Sequence, residues 1–288
     1  GVLLFLEDHL ARLIKSVKGI EDFPVDTAFI EKECYKFLHE QYPSFKEGNL
    51  RIVLTKSDIL IHVCEANIPC KEHFEKGIKS SLLKWDRVDP NIKVFRGDYK
   101  SAVAEAFASS GAYEIVLADS NDKLYEGSKS NLFIVVGNKV YSAPDNKILL
   151  GITRNRVMSS MKEAGGELVI DMFSLEELKK TEGAALFVSS TPFDILPIAS
   201  IDDYVFDSAN NPLIKRISEC YLDQIAKYIN EILKITRFRV TNGSISLDLE
   251  IVKCIIIDSE MIINVRFKEM IKKIHFKPIS LQLFNFCS

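Results

Sequence analysis

The chain has 288 residues, 47% of them hydrophobic and 27% charged, with a formal net charge of −3. That length allows one large domain or two small ones with ample core. The composition shows no basic stretch suited to nucleic acid and no apolar run of the roughly 18 residues a membrane span needs, and no secretory signal is expected.

The six cysteines (Cys34, Cys64, Cys70, Cys220, Cys254 and Cys287) are scattered and form no Cys-x-x-Cys pair. They are expected to be reduced, mostly buried thiols in a cytosolic protein. Zinc needs closer ligand pairs, so no metal is expected.

In chain order, Leu3 to Lys18 starts as a strand and becomes a helix. Acidic Glu7 and Asp8 sit in its first turn, and Leu10, Leu13, Ile14 and Val17 recur at helical spacing. Ala28 to Tyr42 reads as a second helix with Phe29, Ile30, Cys34, Phe37 and Leu38 on one face. Asn49 to Thr55 and Ile59 to Ala66 read as paired strands, and Gly77 to Lys84 as another. His62 reads as a strand-face histidine and Trp85 as packing. The polar, Pro-containing Asp86 to Asn91 suits a link between two lobes.

Ile92 to Phe95 follows, with Lys93 among apolar β-formers. A buried lysine loses its proton readily, as a Schiff-base lysine must. The competing reading is an edge-strand lysine facing water, and the residues alone leave both open. Ser101 to Ser110 is a helix, and Tyr113 to Asp119 a strand.

The most informative stretch is Glu126 to Arg154. A carboxylate, Glu126, opens it beside the turn Gly127, Ser128, Ser130, Asn131. Two β-rich runs, Leu132 to Val136 and Lys139 to Tyr141, meet at Gly137-Asn138, a hairpin signal. A Pro144-Asp145-Asn146 turn follows. Then come Leu150, Gly151, Ile152, Thr153 and Arg154 at the start of a helical pattern, where free backbone N–H groups suit an anion. The helix runs on to Ala164, with Val157, Met158 and Met161 inward, and Gly165-Gly166 ends it. Glu167 to Ile170 is a strand, Leu175 to Lys179 a short helix capped by Ser174, Ala184 to Val188 a buried strand, and Pro212 to Ile235 a long amphipathic helix.

This stretch resembles the signature of the class IV aminotransferases, the pyridoxal-phosphate family that includes branched-chain and D-amino-acid aminotransferases and aminodeoxychorismate lyase. Glu126, Gly127, Asn131, Phe133, Pro144, Leu149, Gly151, Ile152, Thr153 and Arg154 fit the pattern. The resemblance runs from Gly1 to about Ile235. It implies an α+β fold of type IV: a small α/β lobe (residues 1–85), a linker (86–91) and a larger pseudo-barrel lobe (92–235) that holds the cofactor. The tail, 236–288, matches no family element, and low order is expected there. Val2 to Leu6 already reads as a strand, where the family has a preceding strand and turn, so a preceding segment is expected.

The resemblance also implies site roles. The cofactor is pyridoxal 5'-phosphate, and Lys93, after Asp89-Pro90-Asn91, is its covalent anchor and the catalytic base. Lys100 is the weaker rival. Glu126 meets the pyridine nitrogen. Arg12 of His9-x-x-Arg12-Leu13, Ile152, Thr153, Ser190 and Thr191 hold the phosphate. Without the resemblance Arg12 reads as a solvated helix charge, Ser190 and Thr191 as turn residues, and Glu126 as a turn acid beside Lys129. Pro192 departs from the pattern, since it has no N–H for a substrate carboxylate.

The implied reaction moves an amino group from an amino acid to a 2-keto acid, in a cytoplasmic homodimer without nucleic acid or membrane. The alternatives are a lyase of the aminodeoxychorismate type and a truncated, inactive fragment.

Overall fold

The computed structural model describes residues 2–19, 24–43, 48–55, 58–64, 68–87, 90–91, 97–241 and 261–266, with side chains described up to residue 233. The expected strand at Ile92 to Phe95, with Lys93, lies outside the described residues, as do Asp89 and most of the tail.

The first part of the chain holds β1 (Val2–Leu3), α1 (Leu6–Lys18), α2 (Thr27–Gln41), β2 (Gly48–Leu54) and β3 (Ile59–Cys64). Glu7 and Asp8 open α1 and Lys15 and Lys18 close it, so its charges oppose the helix dipole at both ends. Asp26 caps α2 by accepting from Phe29 N at 2.9 Å. Leu10, Leu13, Ile30, Cys34, Leu50 and Ile52 form one core between these helices and strands. Phe29 was expected in it but is 49% exposed. Ile30 and Cys34, one turn apart, already define the inward stripe, and Phe29 is rotated about 100° off it.

Next come α3 (Lys71–Lys76), β4 (Ile78–Lys84), α4 (Gly97–Ser110), β5 (Glu114–Ala118), β6 (Leu124–Gly127), β7 (Asn131–Val136), β8 (Lys139–Ser142), α5 (Ile152–Glu163), β9 (Glu167–Ile170), α6 (Leu175–Lys179), β10 (Ala185–Ser190), β11 (Asp194–Ile201), β12 (Tyr204–Val205), α7 (Pro212–Thr241) and β13 (Met261–Arg266). The larger sheet runs β10-β11-β4-β5-β6-β7, and β7 pairs back onto β10, which closes it into a barrel. The fold is thus α+β with a pseudo-barrel. Val116, Leu124, Leu132, Leu186, Val188, Leu196 and Ile198 fill one hydrophobic core of this sheet. Phe133 and Phe187 stack with centroids 4.8 Å apart, in a second core shared with Val157 and Met161 of α5 and Ile217 and Ile225 of α7.

β4 was expected in the small lobe. It pairs instead, in parallel, with β5 and β11 of the barrel, so the change of sheet falls before residue 78, ahead of the expected boundary. Within the tail, β13 inserts between β1 and β2.

Three local expectations hold. Gly137 adopts φ 61° in the β7–β8 hairpin. Ser174 and Glu177 form a reciprocal capping box at α6. The buried hydrophobic residues of β2, namely Leu50, Ile52 and Leu54, alternate along the strand.

Candidate active site

Glu126 lies on β6 and is 2% exposed. Its Oε1 accepts from Arg87 Nη1 at 2.6 Å, and its Oε2 accepts from Leu149 N at 3.1 Å. Burial pushes its pKa above the usual carboxylate range, while Arg87 and the Leu149 N–H pull it back. For Arg87, burial works against the charge, but Glu126 outweighs it and the pKa ends above its ordinary value. A carboxylate has about four lone-pair positions, so these two contacts leave room for a third partner. The alternative pairing with Lys129 does not occur. The Lys129 ammonium lies 4.5 Å from the Phe107 ring centroid instead.

Arg87 was read only as part of a polar linker. Its guanidinium carbon also sits 5.6 Å from the Tyr99 ring centroid. Tyr99 OH donates to Ser128 O at 2.8 Å, and Tyr125 OH donates to Trp85 O at 2.6 Å. Burial raises both phenol pKa values, so these rings stay neutral donors.

Two glycines of the signature have steric reasons. A Cβ on Gly151 would lie 2.2 Å from Asn131 Oδ1, and one on Gly127 would lie 2.1 Å from Ser130 Oγ. Asn131 Nδ2 donates to Leu149 O at 2.8 Å. Leu149 therefore joins Glu126 to Asn131, and Gly151 brings the start of α5 against Asn131. Arg154, 1% exposed, braces this connection through Ser142 Oγ at 3.3 Å and Asp145 Oδ1 at 3.0 Å.

Gly151 is the N-cap of α5. No side chain caps this helix, and its first turn holds no acidic residue. Ile152 and Thr153 are both buried there. β10 reaches the same corner, because Ser189 pairs with Asn131, which pairs with Glu126. Ser190 ends the strand buried, and Thr191 follows in a turn. Ser189 Oγ is buried without a hydrogen-bond partner among the described residues.

Arg12 lies on α1, which docks onto α5 through Asp8. Arg156 Nε donates to Asp8 Oδ2 at 2.9 Å, and Arg156 lies 4.3 Å from the Phe5 ring centroid. Phe5 holds a left-handed backbone at φ 52°, ψ 41° at the start of α1. Such a conformation costs about 1–3 kcal/mol and persists only where packing enforces it; here Arg156 and Tyr228 enclose the ring. Arg12 is partly exposed, but burial lowers its pKa to about 10. No carboxylate pairs with it among the described residues. An unpaired guanidinium, an uncapped helix start and an unbonded buried hydroxyl suit a phosphate. The residues present therefore fit pyridoxal phosphate. Arg12, Glu126, Ile152, Thr153, Ser190 and Thr191 are described; Lys93 is not.

The family model for amino-transferase class IV matches residues 1–201. The chain belongs to the class IV aminotransferases. It is an enzyme of that class, with pyridoxal phosphate as cofactor, and it transfers amino groups. A D-alanine aminotransferase of Bacillus licheniformis is 25% identical over 245 residues, covering 78% of this chain and 84% of that one. A probable branched-chain-amino-acid aminotransferase of Aquifex aeolicus is 30% identical over 162 residues, covering 52% and 50%. Among solved structures, the Escherichia coli branched-chain amino acid aminotransferase superposes with a TM-score of 0.61 at 26% identity, covering 76% of this chain and 78% of that one. The T.th. branched-chain amino acid aminotransferase, determined with pyridoxamine 5'-phosphate, shares the fold with a TM-score of 0.64 at 22% identity, covering 76% and 78%.

Proposed function

We propose that this chain moves an amino group from an aliphatic amino acid to a 2-keto acid, with Lys93 as the covalent anchor and proton carrier and Glu126 as the partner of the pyridine nitrogen. The observation that carries this reading is the buried Glu126–Arg87 pair, set beside an uncapped helix start. When bound, pyridoxal phosphate supplies an electron-withdrawing ring that acidifies the substrate's α-carbon.

The chain's own residues divide the remaining work. Glu126 holds a proton on the pyridine nitrogen, and Arg87 holds Glu126 in place. Arg12, the N–H groups of Ile152 and Thr153, the Thr153 hydroxyl, Ser190 and Thr191 bind the phosphate. The Lys93 amine would take the substrate's α-proton and give it back as general base and acid.

The flanks of Lys93 support this role. Arg87 on one side bonds Glu126, Tyr99 on the other lies against Arg87 and bonds Ser128 O, and Asn91 Nδ2 donates to Asp145 O at 3.0 Å. Two residues of extended chain reach at most about 7 Å, so Lys93 cannot stray far from Asn91. Lys100 lies in the first turn of α4, beyond that link.

The relatives named as branched-chain and D-alanine aminotransferases support an aliphatic substrate. Pro192 offers no N–H, so the substrate carboxylate is held elsewhere. We also propose a homodimer, on the family resemblance. A monomeric mass by analytical ultracentrifugation would contradict it. Cys34, Cys64, Cys70 and Cys220 are free thiols, which supports a cytoplasmic setting. Among the described residues no helix is long and apolar enough to cross a membrane. Single-turnover kinetics with an amino acid alone test the reaction. An aminotransferase converts its cofactor to the pyridoxamine form, whereas a lyase releases pyruvate.

A further inference from the structure

We propose that Glu114 is a positioning residue for Glu126, whose buried carboxylate anchors the turn that sets the Glu126 side chain in the site. The proposal rests on the reading of Glu126 given above. Glu114 opens β5 and is 1% exposed. Its Oε1 accepts from Ser128 Oγ at 2.6 Å and from Ile115 N at 2.8 Å, and its Oε2 accepts from Ser130 Oγ at 2.7 Å. No cation forms an ion pair with it among the described residues. A carboxyl group buried this way is tolerated because three donors satisfy it.

Two of those donors, Ser128 and Ser130, belong to the turn between β6 and β7. Glu126 immediately precedes the turn and Asn131 immediately follows it, and the two pair across its base. The backbone of the turn is bonded too. Gly127 N donates to Ser130 O at 2.8 Å, Ser128 N donates to Ile115 O at 2.7 Å, and Tyr99 OH donates to Ser128 O. A Cβ on Gly127 would meet the Glu114 carboxylate at 3.1 Å as well as Ser130 Oγ. The glycine next to Glu126 is therefore required chiefly by Ser130 Oγ, which bonds Glu114, and the Glu114 carboxylate adds a second tight contact. Glu114 touches no reacting atom in this reading and acts by fixing where Glu126 sits.

The test compares Glu114→Ala, Glu114→Gln, Glu126→Gln and the double variant Glu114→Ala/Glu126→Gln in the intact protein. In the cofactor-free protein, hydrogen exchange at the Gly127 and Ser128 amides should accelerate in Glu114→Ala and return toward wild type in Glu114→Gln, which keeps a hydrogen-bonding group of the same shape. In the loaded enzyme, Glu114→Ala should lower kcat about 10- to 100-fold, the scale of a small misplacement near the chemistry. KM for the amino donor should stay within about twofold, because uniform binding is untouched. Adding Glu114→Ala to Glu126→Gln should cost far less than it costs alone. If Glu114→Ala does not fold, Ser128→Ala/Ser130→Ala takes its place with the same expectations. A wild-type kcat in Glu114→Ala, or an equal penalty in the Glu126→Gln background, overturns the proposal. Should Glu126→Gln itself run at the wild-type rate, the reading of Glu126 fails. Unchanged amide exchange in Glu114→Ala defeats the anchoring of the turn independently.

Discussion

The two ends of the site are built differently. At the Glu126 end, each carboxylate oxygen already has a partner, Arg87 or the Leu149 N–H, inside a buried cluster. At the α5 end, three groups lack such partners among the described residues: the helix start has no side-chain cap, Ser189 Oγ is unbonded, and Arg12 has no carboxylate. The first end is preorganised before any ligand arrives, and the second becomes satisfied when an anion arrives. Preorganised charge acts on the transition state, whereas unsatisfied donors contribute to affinity. The Glu126 end should therefore govern rate, and the α5 end cofactor retention.

Glu126→Gln tests the first half of that contrast. The proton-transfer step should slow by about 100-fold or more, the scale of losing one electrostatic stabiliser. Cofactor affinity should change little, because the proposed phosphate contacts remain. Single-turnover kinetics at full saturation, checked by absorbance, decide it. A near wild-type rate would remove Glu126 from the mechanism.

Arg12→Ala should show the opposite split. The cofactor dissociation constant should rise by about 10- to 100-fold, as expected for one lost charge-assisted contact. The rate at saturation should stay close to wild type. Equilibrium titration of the apoprotein with pyridoxal phosphate measures this, and a rate loss at unchanged affinity would merge the two ends into one.

Arg87→Gln sharpens the contrast through pH. It leaves Glu126 buried without its cation, a change that typically costs about 3–5 kcal/mol when the charge stays. Burial already raises the Glu126 pKa, so as pH falls the folded protein takes up this proton before the unfolded chain does. The stability linked to that uptake is present at low pH and is lost as pH rises through the folded pKa. Losing Arg87 raises that pKa further. Urea melts should show a larger deficit for Arg87→Gln at pH 8 than at pH 5, and an equal deficit at both would show that the pair is not electrostatic.

A further test concerns the unliganded protein. Arg12 has a lowered pKa of about 10, still above neutrality, so both folded and unfolded chains carry the charge at pH 7. The apoprotein then bears the cost of enclosing it. Inorganic phosphate at 100 times its dissociation constant should stabilise the apoprotein by about 2.7 kcal/mol. At the same phosphate concentration the shift should fall to about 0.4–1.4 kcal/mol in Arg12→Ala, as a 10- to 100-fold weaker site requires, and an equal shift in both proteins would place the phosphate elsewhere.

Much of this was readable in the chain because it depends on local spacing. The Gly137 hairpin, the Ser174 cap and the α5 start each lie within a few residues of their cause. The motif also marked Gly127, Asn131 and Gly151, although the reasons for them are spatial. Arg87 was missed because it sits 39 residues from Glu126 in a stretch that reads as a polar linker. Glu114 looked like an ordinary strand residue, since its partners follow 14 and 16 residues later as plain serines. β4 was placed with the wrong lobe because an isolated apolar run does not say which sheet it joins.

The central claim is that Lys93 carries the cofactor beside Glu126. The direct measurement is borohydride reduction of the purified holoenzyme followed by peptide mapping. The account predicts a phosphopyridoxyl group on Lys93, in the peptide between Arg87 and Arg96, and its loss in Lys93→Ala but not in Lys100→Ala. A modified Lys100, or an unmodified Lys93 in protein that has bound the cofactor, would contradict it.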